Sequence, residues 1–166
     1  MRLPREALRS PQIMQTLCLE TCRACLPDMP VAENSFDEEF LATVKEKARR
    51  SYERSSDLQI ISEGPEVRGN PRDRYPSASG VYLDVYQGLV AALKLEPPFL
   101  TLSLSEIKER LNAIFPKDKP PNIASALNQY QKLFTKQIPS RPSPIDWDGR
   151  NLAILDPHFF YYLRNT

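Results

Sequence analysis

Glycine and histidine are scarce in this sequence, and each scarcity excludes something. The 166 residues hold five glycines, Gly64, Gly69, Gly80, Gly88 and Gly149, no two closer than five residues. A GxGxxG turn is therefore excluded, and no GxxxxGK phosphate cradle is present. The one histidine, His158, rules out HExxH zinc chemistry and any site built from several imidazoles. Charge of one sign is lacking too: 22 basic against 21 acidic residues leave a net charge of +1. That provides neither the basic footprint of a nucleic-acid binder nor an acidic tail. No apolar run approaches the roughly 18 residues of a membrane span. The first residues, Met1-Arg2-Leu3-Pro4-Arg5-Glu6, lack the apolar stretch of a secretory signal. Three cysteines, an odd number clustered within eight residues, do not make a secreted disulfide framework. A cytoplasmic protein that does not enter a membrane is expected.

Apolar residues and proline are plentiful. The hydrophobic share is 41%, enough for a core in one domain or two small ones. Sixteen prolines are about twice the ordinary share of roughly 5%, so helices must be interrupted often. Ser10-Pro11 reads as a helix start, serine at the N-cap and proline at the first turn, with the helix running to about Leu26. Ser35, followed by Glu38, has the form of a capping box for a second helix whose apolar side is Phe40, Leu41, Val44 and Ala48. Residues 54–82 read as irregular, with Leu58-Gln59-Ile60-Ile61 as either a short strand or a helix tail. Beyond them the pattern predicts a helix over 83–95 and a short strand at 99–102. A helix from Ser103 or Ser105 to Phe115 and one from Asn122 past Phe134 follow. Ile145-Asp146-Trp147 and Leu152-Ala153-Ile154-Leu155 flank Asp148-Gly149-Arg150-Asn151 as a hairpin, and Pro157 opens a last helix. The expected architecture is mainly α: a helical lid-like segment over 1–56, a linker over 57–82, and a winged-helix domain with a small β-hairpin wing over 83–166. Trp147 is expected under the wing, against the aromatic C-terminal helix.

Few constellations carry chemistry. Cys18, Cys22 and Cys25 form CxxxCxxC, a spacing that holds iron–sulfur clusters when it sits in a loop after a strand. Here it lies in a predicted helix, and the expected role is a buried apolar stripe. Neither a metal set nor a catalytic group is assigned, and His158 reads as a structural first-turn residue. The helix over 121–136 would be the recognition element of a winged unit. Its outer face offers Ser125, Asn128, Gln129, Lys132 and Lys136, joined by Arg150 on the wing, as candidate contacts to nucleic acid. Residues 84–166 carry ten basic and eight acidic residues, a net of +2, which is low for a DNA-binding module. Protein contact is the preferred reading and DNA binding the alternative. Arg68, Arg72, Arg74 and Tyr75 form a candidate loop for contact with an anion or an acidic partner. Asp84 and Tyr86 read as capping and packing residues for the helix that follows.

Three stretches carry a resemblance. Ser10-Pro11-Gln12-Ile13-Met14-Gln15-Thr16-Leu17-Cys18-Leu19 resembles the lid helix of bacterial AAA-type ATP-binding proteins. Arg68-Gly69, Arg72, Tyr75, Gly80 and Asp84-Val85-Tyr86 resemble the stretch that joins that lid to the C-terminal domain. Asp146-Trp147-Asp148 and the run from Leu155 to Arg164 resemble the closing signature of the family. The resemblance implies the C-terminal part of such a protein, a lid followed by a winged-helix-like domain, without the Walker segments. It further implies that ATP would be bound only through a separate core domain, with that core or another protein as partner. Where many of these proteins place a sensor arginine stands Gln12. Arg9 is the candidate substitute for contact with the nucleotide.

Overall fold

The computed structural model describes residues 10–25, 37–67, 69–117, 120, 122–140 and 142–166. Arg9, Arg68, Ser35 and the proline-rich stretch at 27–34 lie outside the described residues, and so do the expectations attached to them. Among the described residues the helices are α1 (Pro11–Ala24), α2 (Glu38–Ser51), α3 (Ser55–Glu63), α4 (Val85–Lys94), α5 (Leu104–Ile114), α6 (Ile123–Gln137) and α7 (Pro157–Arg164). The strands are β1 (Tyr75–Pro76), β2 (Tyr82–Leu83), β3 (Thr101–Ser103), β4 (Ile145–Trp147) and β5 (Asn151–Ile154). The chain is thus mainly helical, with two small antiparallel sheets. Its contacts divide it into two compact units, one joining the residues up to Arg54 with Pro157–Thr166, the other Ser55–Asp156. The stretch read as a linker belongs to the second unit, and the last helix groups with the first.

In the first unit, α1 begins as its Ser-Pro start predicts: the Ser10 hydroxyl accepts the Ile13 N–H, with proline in the first turn. The core takes Ile13 and Leu17 from α1, Val44 and Ala48 from α2, and Tyr161 from α7. The cysteines are a correction. Cys18 and Cys22 are exposed and Cys25 is half-buried, because the core claims the line Ile13–Leu17. Residue 18 lies about 100° further round the helix. The side chain that accepts the Phe40 N–H at the start of α2 is Asp37, at 2.8 Å. Toward its end Glu46 pairs with Arg49 at 2.7 Å and Arg50 at 3.0 Å, and these two guanidiniums hold its carboxyl down at about 2. Arg49 also lies over the Tyr162 ring, 5.3 Å from its centre.

In the second unit α3 decides between the two readings of Leu58–Ile61 in favour of helix, and corrects the irregular reading for the residues around them. Its buried positions are Asp57, Ile60 and Ile61, and the glycine just beyond its end, Gly64, is buried too, continuing the i, i+3, i+4, i+7 pattern of one helical face. Asp57 and Gly64 interrupt the apolar pattern, so the hydrophobic residues alone leave strand and helix open here. Gly64 ends it with φ +64 and an N–H bonded to the Ile60 carbonyl at 3.0 Å, a left-handed cap that glycine adopts without steric cost. β1 pairs with β2, Tyr75 opposite Leu83 and Pro76 opposite Tyr82.

From α4 onward the elements follow the order expected. Asp84 caps α4 by accepting the Tyr86 and Gln87 N–H groups, and the Gln87 side chain accepts from the Asp84 N–H. Arg110 closes the other end, donating to the Ala92 and Leu95 carbonyls at 3.1 and 2.8 Å. Ser103 and Glu106 form the capping box of α5; hydrogen bonds from Ser103 hold the Glu106 carboxyl below its ordinary range. The second sheet has the order β3-β5-β4. One row across it, Leu102, Leu152 and Trp147, is buried throughout. The next row, Thr101, Ala153 and Asp146, is more open, so the sheet is apolar on one face only.

Candidate functional site

α6 buries Ala126, Leu127, Tyr130, Leu133 and Phe134. That periodicity leaves Ser125, Asn128, Lys132 and Lys136 exposed along the opposite side, with Gln129 half-buried at its margin. The helix contains no carboxylate, so its open face is polar and weakly basic. Arg150 is exposed in the turn between β4 and β5. Asp148 shapes that turn: its carboxylate accepts the Arg150 and Asn151 N–H groups at 2.7 and 2.6 Å. Those bonds hold its carboxyl below the ordinary range. The Arg150 carbonyl accepts the Leu104 N–H at 2.9 Å, which ties the hairpin to the start of α5. Five of the six candidate contacts thus lie on one helix and the sixth on the hairpin.

A cavity of about 560 Å³ opens between α5 and the start of α6, lined by Lys108, Leu111, Asn112, Asn122 and Ile123 among others. Asn122 precedes α6 in the left-handed conformation, φ 59 and ψ 42, with no side-chain cap. The sequence carried one sign of it, the Pro-Pro-Asn before the helix, but nothing that marks a cavity.

The arginine loop separates into different roles. Arg72 is turned inward and spends its donors internally, on Asp84 at 3.2 Å, on the Glu63 carbonyl at 2.5 Å and on the Pro65 carbonyl. Its guanidinium also lies over the Tyr86 ring, 4.8 Å from the centre. Tyr86 in turn meets Tyr130 of α6 edge-on at 5.7 Å. Burial pushes the phenols of both tyrosines up, and the Tyr130 hydroxyl has no hydrogen-bond partner among the described residues. Arg72 therefore braces, through Tyr86, the buried side of the helix whose outer side is the candidate contact face. Tyr75 is half-buried and meets Phe115 edge-on at 6.2 Å; Arg74 is exposed. Arg72→Ala should cost about 1.5–3 kcal/mol, the range for a hydrogen-bonded charge, read as a drop in the denaturant midpoint. Arg72→Lys should not restore it, because a single ammonium cannot reproduce the planar fork. A loss under about 0.5 kcal/mol, the scatter of a surface change, would show that the brace is idle.

In the first unit His158 stacks on Tyr52, rings 4.2 Å apart and 6° from parallel. The Tyr52 hydroxyl bonds the Thr16 hydroxyl and donates to the Gln12 carbonyl at 3.3 Å. Gln12, Gln15, Thr16 and Leu19 line an open groove of about 440 Å³ with this pair. Gln12 is exposed in the first turn of α1. Sequence reasoning named His158, and nothing in the sequence marks Tyr52, 106 residues earlier, as its stacking partner.

Among the described residues no group of three or more His, Cys, Asp and Glu side chains is placed to hold a metal ion, and no helix is long and apolar enough to cross a membrane. No protein-family model matches the chain, nor does any curated protein or solved structure.

Proposed function

We propose that the chain is an interaction module, a helical lid-like segment with a winged-helix-like domain, that docks on a protein partner and supplies no catalytic group. The partner class is an AAA-type ATPase core lying outside these 166 residues, through which alone ATP would be engaged. The observation that carries the reading is the topology of the second unit. Helix α4, strand β3, helices α5 and α6 and the hairpin β4–β5 follow one another, and the sheet order is β3-β5-β4. This order is the one a winged helix has, and it supports reading the hairpin as the wing and α6, with its open outer face, as the helix that makes contact. The resemblance of the lid helix, the arginine loop and the closing aromatic helix to bacterial AAA-type proteins supports the partner class. The net of +2 over residues 84–166 favours a protein surface over a phosphate backbone, whose neutralisation supplies most non-specific DNA affinity. A cytoplasmic setting goes with this reading.

The purified chain is expected to show no ATP turnover above buffer. Turnover that copurifies with the chain and changes when its own residues are substituted would overturn the reading.

One observation favours a second reading, a DNA-binding adaptor: the exposed face of α6 carries Ser125, Asn128, Lys132 and Lys136 with no opposing carboxylate in the helix. Salt-dependent binding that is lost with Lys132→Ala and Lys136→Ala would mark it.

A further inference from the structure

Neither the fold nor the proposed contact uses the cysteines of α1. Cysteine is among the residue types most often buried, yet Cys18 and Cys22 are exposed and Cys25 is half-buried. All three are free thiols, and spacings of four and three set them in one stripe along the helix.

Helix geometry decides which of them can meet. A rise of 1.5 Å per residue on a cylinder of about 2.3 Å radius puts the Cα atoms of Cys18 and Cys22 about 6 Å apart. Those of Cys22 and Cys25 are about 5 Å apart, and those of Cys18 and Cys25 roughly 10 Å. A disulfide spans about 4.4–6.8 Å between Cα atoms, so only the two neighbouring pairs qualify. Both start with Cβ atoms roughly 5–6 Å apart, where a disulfide needs about 3.5–4.5 Å. The backbone must therefore yield. Cys18 and Cys22 both lie within the helix, and drawing them together compresses a regular turn. Cys25 is the C-cap residue, already extended beyond its Cα at ψ 136 and tied back by one bond, its N–H to the Thr21 carbonyl at 3.1 Å. The end of the helix gives where its middle does not.

We propose that Cys22 and Cys25 form a dithiol–disulfide exchange site that reacts with low-molecular-weight disulfides of the glutathione class and closes into an intrahelical bond. The exposed Cys22, as its thiolate, attacks one sulfur of glutathione disulfide. A bond forms from Cys22 to one glutathione, the glutathione S–S bond breaks, and the departing thiolate takes up the proton that Cys22 released. Cys25 then attacks the Cys22 sulfur, which forms the Cys22–Cys25 bond and expels the second glutathione, now carrying the proton of Cys25. Two protein thiols are oxidised and one glutathione disulfide is reduced to two thiols. Excess reduced glutathione runs the sequence backward. The closed form pins the last turn of α1.

The test incubates the full chain across a series of reduced-to-oxidised glutathione ratios, quenches free thiols by alkylation and maps the products by mass after trypsin. Trypsin cuts at Arg23, between the two cysteines, so a Cys22–Cys25 bond appears as two cross-linked peptides. A Cys18–Cys22 bond stays within one peptide. The expected result is the cross-linked pair, lost on return to reduced glutathione and unchanged in Cys18→Ser. Cys25→Ser should instead trap a glutathione adduct on Cys22, with an unchanged circular dichroism spectrum confirming that the variant is folded. A wild-type chain without the cross-linked pair, a bond mapped to Cys18–Cys22, or a folded Cys25→Ser variant without the trapped adduct would each overturn the proposal.

Discussion

Trp147→Ala is expected to lower the stability of the chain by about 3–5 kcal/mol, the range for deleting a large aromatic from a packed core. Trp147 is 5% exposed and stands in the buried row that crosses the second sheet beside Leu152 and Leu102. Removing it empties the covered face where the hairpin turns. Its indole N–H is buried without a hydrogen-bond partner among the described residues, and a buried unpaired donor itself costs about 1–3 kcal/mol. Trp147→Phe discards that donor while keeping most of the ring, so its loss should be distinctly smaller than that of the alanine variant. Trp147 is the one tryptophan of the chain, and its emission reports on this site alone. Blue-shifted emission in the native chain that moves red across one cooperative denaturant transition is expected. Water-like emission before denaturation, or an alanine variant within about 0.5 kcal/mol of wild type as for a surface site, would contradict the packing.

Gly88→Ala has the opposite sign from what helix propensity predicts. Alanine in place of a helical glycine normally stabilises by about 1 kcal/mol, and Gly88 sits inside α4. A Cβ there would lie 2.4 and 2.6 Å from two atoms of the Phe115 ring, well inside contact distance. Phe115 is fully buried and has no open side to move toward. Overpacking of this kind costs roughly 1–3 kcal/mol, so a net loss is expected. The double variant with Phe115→Leu should recover part of it, because the two sites share one space and their effects cannot add. A Gly88→Ala variant more stable than wild type would show that α4 and the end of α5 are not this close. The glycine is thus explained by its neighbour, since its backbone is ordinary helix and its sequence surroundings show nothing unusual.

That glycine illustrates where sequence reading stops. The helices from α4 to α7 and the hairpin were legible because each boundary carries its own chemistry: Asp84 and Ser103 as caps, Pro116 as a breaker, Asp-Gly at the turn. α3 was legible only as a helix tail that a short strand matched equally well at 58–61, because its buried face has Asp57 beside Ile60 and Ile61 and ends at Gly64. β1 and β2 have two residues each, too few for alternation to register. On α1 the sequence shows a broad apolar arc that includes the cysteines, but which edge of it faces a neighbour depends on where α2 and Tyr161 lie. The inward turn of Arg72 was likewise hidden. Its partners are backbone carbonyls of residues 63 and 65 and a cap at residue 84, and only the folded loop brings them together. The outer face of α6 was read directly, since its spacing complements that of the buried residues.

The most direct measurement of how this chain makes contact is a titration of a labelled DNA duplex with the purified chain, followed by anisotropy from about 50 to 200 mM salt, the range over which phosphate contacts lose most of their affinity. If α6 and the hairpin serve a protein partner, no saturable binding develops even at the lowest salt, and Lys132→Ala with Lys136→Ala changes nothing. Saturable binding that weakens with salt, and whose log–log slope falls by about one for each of these lysines removed, would contradict the account and make the chain a DNA-binding adaptor.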